Sequence, residues 1–219
     1  MTLALYAHPF SSYCQKVLIA LYENDIPFKY RMLGPEDPSI FEEFAKLWPL
    51  KRMPLLVDGE RPVMESSIIV EHLALAHPGR VELIPGDPAA ALEARFLDRY
   101  FDHYVMTPMQ KIVADVLRPA ESRDAYGVRD AHALLDTSYA WLETRLAGRA
   151  WATGRDFSLA DCAAAPSLFY ADWVHQIPQQ FPNVRAYRQR LLARPSVARA
   201  VDEARPYRKL FPPGAPDRD

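Results

Sequence analysis

The 219-residue sequence has little cysteine, little glycine and almost no net charge. Its two cysteines, Cys14 and Cys162, are too few for a disulfide framework, which predicts reduced thiols in a reducing compartment. A formal net charge of -2 gives no electrostatic argument for a nucleic-acid partner. Eight glycines against twenty prolines indicate sharp boundaries between elements rather than flexible linkers.

Long hydrophobic runs are also missing. The longest apolar stretch, around residues 162–171, is well short of the roughly 20 residues that a membrane-spanning helix needs. The start, MTLALYAHPF, lacks the basic segment that opens a secretory signal. We therefore expect a cytoplasmic protein with no membrane partner. The 49% share of hydrophobic residues is enough for a sizeable core.

The first third alternates strand patterns with helix patterns. The continuous apolar run Leu3–Ala7 predicts a buried strand, and an apolar stripe over residues 13–24 predicts a helix. A second strand at 28–32, a helix beginning at Asp37-Pro38, a hairpin around Asp58-Gly59 and a helix over 65–76 follow. The order βαβαββα is the thioredoxin-like arrangement of an α/β domain.

The rest of the chain carries helical patterns only, so an all-α C-terminal domain is predicted. We place the thioredoxin-like domain at residues 1–79, a linker at 80–88 and the helical domain at 89–219. The predicted helices span residues 88–117, 123–146, 158–172, 182–193 and 196–204, and a proline-rich tail that we expect to be extended follows.

Four segments, in this order, resemble cytosolic glutathione transferases. They are YAHPFSSYCQKVLIAL at 6–21, WPLKRMPLLVDGERPVMESS at 48–67, TGRDFSLAD at 153–161 and FPNVRAYRQRLLARPSV at 181–197. The likeness covers essentially the whole chain and is greatest to theta/zeta-like, bacterial-type members with a serine-type active site. Trp48, Met53 and Ile68 depart from the family's usual Asn, Val and small residue. The resemblance implies a detoxifying homodimer that joins the glutathione thiolate to a small hydrophobic electrophile.

The loop before the first predicted helix carries the candidate catalytic residues. A cysteine-type thiol has a pKa of about 8.5, so a hydroxyl donor and a helix N-terminus are needed to favour the thiolate at neutral pH. Ser11 matches the family's serine and is the expected donor, whereas Ser12 is expected to cap the helix. Cys14 is expected to be a small buried side chain. The alternative for Cys14 is an activated thiolate, as in a glutathione-dependent thiol transferase or disulfide reductase.

The resemblance also assigns a binding site for glutathione as co-substrate. The Met53 backbone would pair with the cysteinyl part, beside a cis-proline. Glu65 and Ser66 would bind the ammonium and carboxylate of the γ-glutamyl end, and Lys51 or Arg52 the glycine carboxylate. The expected glutathione-binding residues are Lys51, Arg52, Met53, Pro54, Glu65 and Ser66. A non-catalytic protein-docking module of the same fold, the third alternative, has no need of such a site.

In this family the second substrate lies between the first loop and the long helix after the linker. Aromatic and methionine side chains suit an adaptable apolar pocket, although the same stripe fits a core equally well. The candidates are Phe10, Tyr100, Tyr104, Met106, Met109 and Ile112.

Several charged residues are candidates for contacts between subunits. Asp98 or Asp102 is expected to reach glutathione bound to a partner subunit, and Arg95 and Arg99 to face Glu65 and Glu71 across a two-fold axis. The spacing of the six histidines pairs none of them with carboxylates or thiols, so no metal is expected.

Overall fold

The computed structural model describes residues 3–219 and begins with a four-stranded mixed sheet. Its strands are β1 (Leu3–Ala7), β2 (Phe28–Met32), β3 (Leu55–Asp58) and β4 (Arg61–Met64), in the spatial order β2-β1-β3-β4. β1 is parallel to β2 and antiparallel to β3, and β3 is antiparallel to β4. The helices of this part are α1 (Ser12–Glu23), α2 (Pro38–Leu47) and α3 (Ser66–Ala76). The predicted thioredoxin-like arrangement is confirmed.

β1 is apolar throughout because both of its faces are covered. Leu3, Leu5 and Ala7 belong to the main core, which also contains the buried face of α1. Tyr6 points the other way and stacks on Phe44 of α2, with ring centroids 6.2 Å apart. The sheet therefore lies between helices. The loop that connects β1 to α1 begins at the end of β1, at the edge of the domain.

The second part contains helices and no strand among the residues described. They are α4 (Pro88–Tyr100), α5 (Thr107–Val116), α6 (Ala125–Arg145), α7 (Leu159–Val174), α8 (Pro182–Leu192) and α9 (Pro195–Ala204). The tail, predicted as extended, begins with a short 3-10 helix at Arg205–Leu210. Between residues 3 and 219 no helix has the length and hydropathy required to cross a membrane. The all-α character of this part is confirmed.

α7 lies at the centre of the helical part. Fifteen of its sixteen residues are buried, and Ser158 and Asp161 form the predicted capping box at its start. The Asp161 carboxylate also accepts hydrogen bonds from the N–H of Ala152 at 2.8 Å and the hydroxyl of Tyr187 at 2.6 Å. Through these hydrogen bonds the buried carboxylate connects the start of α7 to the loop at Ala152 and to α8 at Tyr187.

A π-helical turn at Phe101–Met106 interrupts what the sequence predicted as one helix over residues 88–117. Pro108 accounts for the interruption, because proline has no N–H to donate to the carbonyl four residues earlier. That carbonyl, on Tyr104, instead accepts a hydrogen bond from the Ser138 hydroxyl at 2.8 Å. Because a π-helical turn is wider than an α-helical turn, the side chains that follow it point in different directions from those of an uninterrupted α-helix.

Candidate functional site

A cavity of about 590 Å³ lies beside the N-termini of α1 and α3 and against the second part of the chain. It brings Ser11 together with all six residues predicted to bind glutathione. The lining residues are Ser11, Tyr13, Lys51, Arg52, Met53, Pro54, Glu65, Ser66, Arg99, Asp102, His103 and Gln110.

Ser11 is the last residue before α1. Its backbone is extended, its N–H donates to the carbonyl of His8 at 3.0 Å, and its carbonyl accepts from the N–H of Gln15 at 2.9 Å. The cap position therefore belongs to Ser11 and not, as predicted, to Ser12, which is already inside the helix. The Ser11 side chain makes no capping hydrogen bond. Its hydroxyl lies at the positive end of the α1 dipole, where an anion is stabilised.

The loop that precedes Ser11 is held by α7. Tyr170 donates its hydroxyl proton to the carbonyl of Phe10 at 3.0 Å. The buried Gln15 amide donates to the carbonyl of Pro9 at 3.0 Å and lies 3.1 Å from the Tyr170 hydroxyl oxygen. Two consecutive carbonyls are thus fixed, so the position of Ser11 depends on both parts of the chain.

The opposite wall is formed by the two segments that the sequence singled out. The Met53-Pro54 peptide is cis. Glu65 has a φ of 70° and a ψ of 121°, a conformation that non-glycine residues rarely adopt and that is concentrated at functional sites. Its side chain does not cap α3, and Ser66 begins that helix as a buried residue. The α3 N-terminus therefore presents free N–H groups and two polar side chains to the cavity.

Comparison with known proteins places this geometry in a family. Residues 5–81 match the model described as "Glutathione S-transferase, N-terminal domain", and residues 110–190 match "Glutathione S-transferase, C-terminal domain". The chain belongs to the glutathione S-transferase family.

Two curated relatives and one solved structure illustrate the likeness. The transferase is 29% identical over 195 residues to glutathione S-transferase GstB of Escherichia coli K12, covering 87% of this chain and 93% of that one. It is 29% identical to FtsZ-localized protein A of Caulobacter vibrioides, covering 87% of each chain. A Methylobacterium radiotolerans glutathione S-transferase, solved in complex with glutathione sulfonate, superimposes with a TM-score of 0.80 at 28% identity, covering 92% of this chain and 95% of that one.

Cys14 of the transferase is fully buried in the main core. Burial raises the pKa of its thiol to about 11, and hydrogen bonds from the Ser11 side chain and the His8 backbone offset that rise only in part. At pH 7 a thiol with this pKa is about one part in 10⁴ thiolate. Cys162 is equally buried, and burial raises the pKa of its thiol as well. Neither cysteine reaches the cavity.

A buried ion network lies behind the α3 N-terminus. The ammonium of Lys16, which is 1% exposed, lies 2.5 Å from the Asp98 carboxylate and 2.9 Å from that of Asp102. It also donates to the hydroxyl of Ser67 at 2.8 Å, and Ser67 donates to Asp98 at 2.8 Å. Arg99 pairs with both carboxylates at 2.7 Å. The network joins α1 and α3 to α4 and the π-helical turn.

The charges expected to contact a second subunit already have partners within their own chain. Asp98 and Asp102 are occupied within their own chain, and Asp102 lines the cavity of that chain. Arg95 forms two hydrogen bonds of 2.9 Å with Glu71 of the same chain. Arg99 faces the buried carboxylates instead of Glu65 or Glu71.

The residues predicted for the second-substrate pocket do not line the cavity. Met106 and Met109 are at most 4% exposed, because they pack into the main core with Ile112. Tyr100 stacks on Trp141 with ring centroids 4.3 Å apart. The predicted positions that are absent from the lining of this cavity are Phe10, Tyr100, Tyr104, Met106, Met109 and Ile112.

Four lining residues were not found from the sequence: Tyr13, Arg99, His103 and Gln110. On a regular α-helix Met106 would share a face with His103 and Gln110, but after the π-helical turn it points into the core. The signal for this change was Pro108. Burial raises the pKa of Tyr13 to about 12, so its hydroxyl keeps its proton at neutral pH and is a second possible donor.

The expectation that no histidine pairs with a carboxylate was wrong. His72 and His77 both approach the carboxylate of Asp58, at 2.9 and 2.8 Å. His175 likewise lies 2.7 Å from Asp136. The pairing of Asp58 with His72 and His77 could not be predicted from the sequence, because it requires the end of β3 to lie beside α3.

Proposed function

We propose that the transferase holds glutathione as a thiolate through Ser11 and transfers it to a small hydrophobic electrophile. The observation that carries this proposal is the Ser11 hydroxyl at the start of α1, which caps no helix N–H and lies in one cavity with Met53, Glu65 and Ser66. The Methylobacterium radiotolerans relative, solved with glutathione sulfonate, supports glutathione as the co-substrate. We also propose that the protein acts in the cytoplasm.

Ser11 acts as a hydrogen-bond donor in this scheme. The glutathione thiol gives its proton to solvent, and the Ser11 hydroxyl and the α1 dipole stabilise the sulfur anion. The sulfur lone pair then forms a bond to the electrophilic carbon. A leaving group departs with its electron pair, or an added carbanion takes a proton from water. Ser11 stays neutral throughout.

A conjugation assay separates this proposal from the alternatives. We expect turnover with halides, epoxides or enones and retention of the protein on immobilised glutathione. Thiol transfer through Cys14 is disfavoured by the burial of that thiol and its raised pKa. Turnover with disulfides alone, abolished in Cys14→Ala, would refute the serine mechanism. Absence of both glutathione retention and turnover would favour a docking module.

Glu65→Gln and Ser66→Ala are expected to weaken glutathione binding by about 1–3 kcal/mol each, the cost of a charge-assisted hydrogen bond in a partly buried site. Titration calorimetry measures the effect. The control ligand is a glutathione analogue that lacks the γ-glutamyl amino group.

If Glu65 binds that ammonium, Glu65→Gln should lower the affinity for glutathione but leave the affinity for the analogue within about twofold of wild type. Equal losses for both ligands would instead mean that the substitution disturbs α3. Ser66→Ala should weaken both, because the analogue keeps the carboxylate that Ser66 is proposed to bind.

We propose that two copies of the chain associate through α3 and α4. These helices carry four large apolar side chains that are 48–84% exposed, and the Arg95–Glu71 pair connects the two helices. Exposed apolar patches of this kind mark association sites. The side chains are Ile68, Leu75, Leu92 and Phe96.

Phe96→Asp and Leu92→Asp are expected to convert a dimer of the 24.9 kDa chain into a monomer at micromolar concentration. Each places a charge where burial of the apolar side chain contributes about 1.5–3 kcal/mol. Sedimentation velocity measures the change. Leu117→Asp, at an exposed site outside α3 and α4, is the control and should leave the dimer intact. A wild-type protein that sediments only as a monomer would refute the proposed association.

A further inference from the structure

We propose that Asp58, His72 and His77 form a binding site for a divalent transition-metal ion, with zinc as the ion of choice. The three side chains come from the end of β3, the middle of α3 and the residue that follows α3. None of them lines the glutathione cavity. The site is therefore independent of the proposed catalytic function.

The ligand atoms already converge. Nε2 of His72 lies 2.9 Å and Nε2 of His77 lies 2.8 Å from the same carboxylate oxygen of Asp58, and all three groups can offer ligand atoms within 4.8 Å of one another. In a tetrahedral zinc site with bonds of about 2.05 Å, ligand atoms are about 3.3 Å apart. Each imidazole nitrogen therefore needs to move only about half an ångström away from the Asp58 oxygen to reach that spacing.

Asp58 has a second, unused oxygen. Oδ1 is buried and has no hydrogen-bond partner in the described part of the chain. A buried carboxylate oxygen without a partner is costly, because it has lost its water and gained nothing in return. A cation bound to the carboxylate offsets that cost.

The donor set favours zinc over magnesium or calcium. Two imidazole nitrogens and one carboxylate suit zinc and its neighbours, whereas magnesium and calcium prefer oxygen ligands alone. When the ion binds, each imidazole carries its single proton on Nδ1 and coordinates through Nε2, so both rings remain neutral. Water completes the tetrahedron.

A second histidine cluster lacks three ligand atoms that face one point. His132 and His175 approach each other through their Nδ1 atoms at 3.0 Å, and Nε2 of His175 lies 2.7 Å from Asp136. Both ring nitrogens of His175 are therefore used in a chain of contacts, and the three groups do not face one point. This cluster is the natural control.

Occupation of the site would fasten the β3–β4 hairpin to α3, the helix that begins at Ser66. The metal is thus expected to be structural: it should raise the unfolding temperature of the whole chain, since an ion that binds only the folded state stabilises it by mass action.

The test uses the full chain, freed of metal with a chelator and titrated with Zn²⁺ against a chromophoric competitor. We expect one equivalent per chain, and Co²⁺ in its place should give the visible absorption of a tetrahedral site. Asp58→Asn, which keeps a hydrogen-bond acceptor for both imidazoles, and His77→Gln should each weaken zinc binding by more than about 100-fold, since even loss of an outer partner costs 10–100-fold. His132→Gln should bind zinc as the wild type does.

Two outcomes would overturn the proposal: no zinc binding by wild type, or wild-type binding that neither Asp58→Asn nor His77→Gln weakens. Each variant is checked by circular dichroism. Because His77 follows the helix and is partly exposed, His77→Gln decides the question if Asp58→Asn fails to fold.

Discussion

Ser11→Ala is expected to raise the pKa of enzyme-bound glutathione towards about 8.5 and to lower kcat/KM at neutral pH by about 2–4 kcal/mol. The variant loses the hydroxyl donor but keeps the α1 dipole. Because the raised pKa reduces the thiolate fraction, the deficit should be largest at pH 7 and below and should shrink as pH rises past 8.5. The ultraviolet absorbance of the bound thiolate, followed against pH, measures the pKa directly.

Two comparisons make this prediction specific. Cys14→Ala should keep kcat/KM within a few-fold of wild type, since burial keeps that thiol protonated and away from the cavity. Tyr13→Phe removes another hydroxyl that lines the cavity and keeps its ring. If Tyr13→Phe shifts the pKa of glutathione and Ser11→Ala does not, tyrosine is the donor and the serine assignment fails.

Lys16→Met is expected to destabilise the protein by about 3–5 kcal/mol, the usual cost of removing one partner from a buried ion pair. Methionine fills the space but leaves the carboxylates of Asp98 and Asp102 with Arg99 as their remaining cation. Urea denaturation, followed by circular dichroism, measures the free energy of unfolding.

An exposed ion pair supplies the control. Arg80 and Asp25 lie 3.2 Å apart with both side chains more than three-quarters exposed. Such pairs contribute about 0–1 kcal/mol, so Arg80→Met should leave stability almost unchanged. Equal losses of stability in Lys16→Met and Arg80→Met would show that the buried network stabilises the protein no more than an exposed ion pair does.

The fold and the segments that line the cavity could be predicted because their signals are local. The apolar run of β1, the Met53-Pro54 pair and the start of α3 at Glu65-Ser66 each depend on residues close together in the sequence. The assignment of the cap to Ser12 was wrong because the sequence does not show which of two adjacent serines ends the loop. The extended backbone of Ser11 places Ser11 at the cap position.

What the sequence could not provide were contacts between distant residues. Lys16 and Asp102 are 86 positions apart and meet through packing of α1 against the helical part. Met106 was assigned to the second-substrate pocket from the family's architecture, and the π-helical turn that buries it at Phe101–Met106 depends on contacts that the sequence does not show.

The hydrogen bond from Tyr170 to the Phe10 carbonyl has a consequence for protein engineering. A chimera that joins residues 1–79 to the helical half of another transferase exchanges the support of the loop that precedes Ser11. Under the proposed function, such a chimera keeps the acidity of bound glutathione only if the new half places a hydroxyl where Tyr170 stands. Libraries that randomise α7 to change substrate preference will therefore also vary thiol acidity, and the two traits have to be screened together.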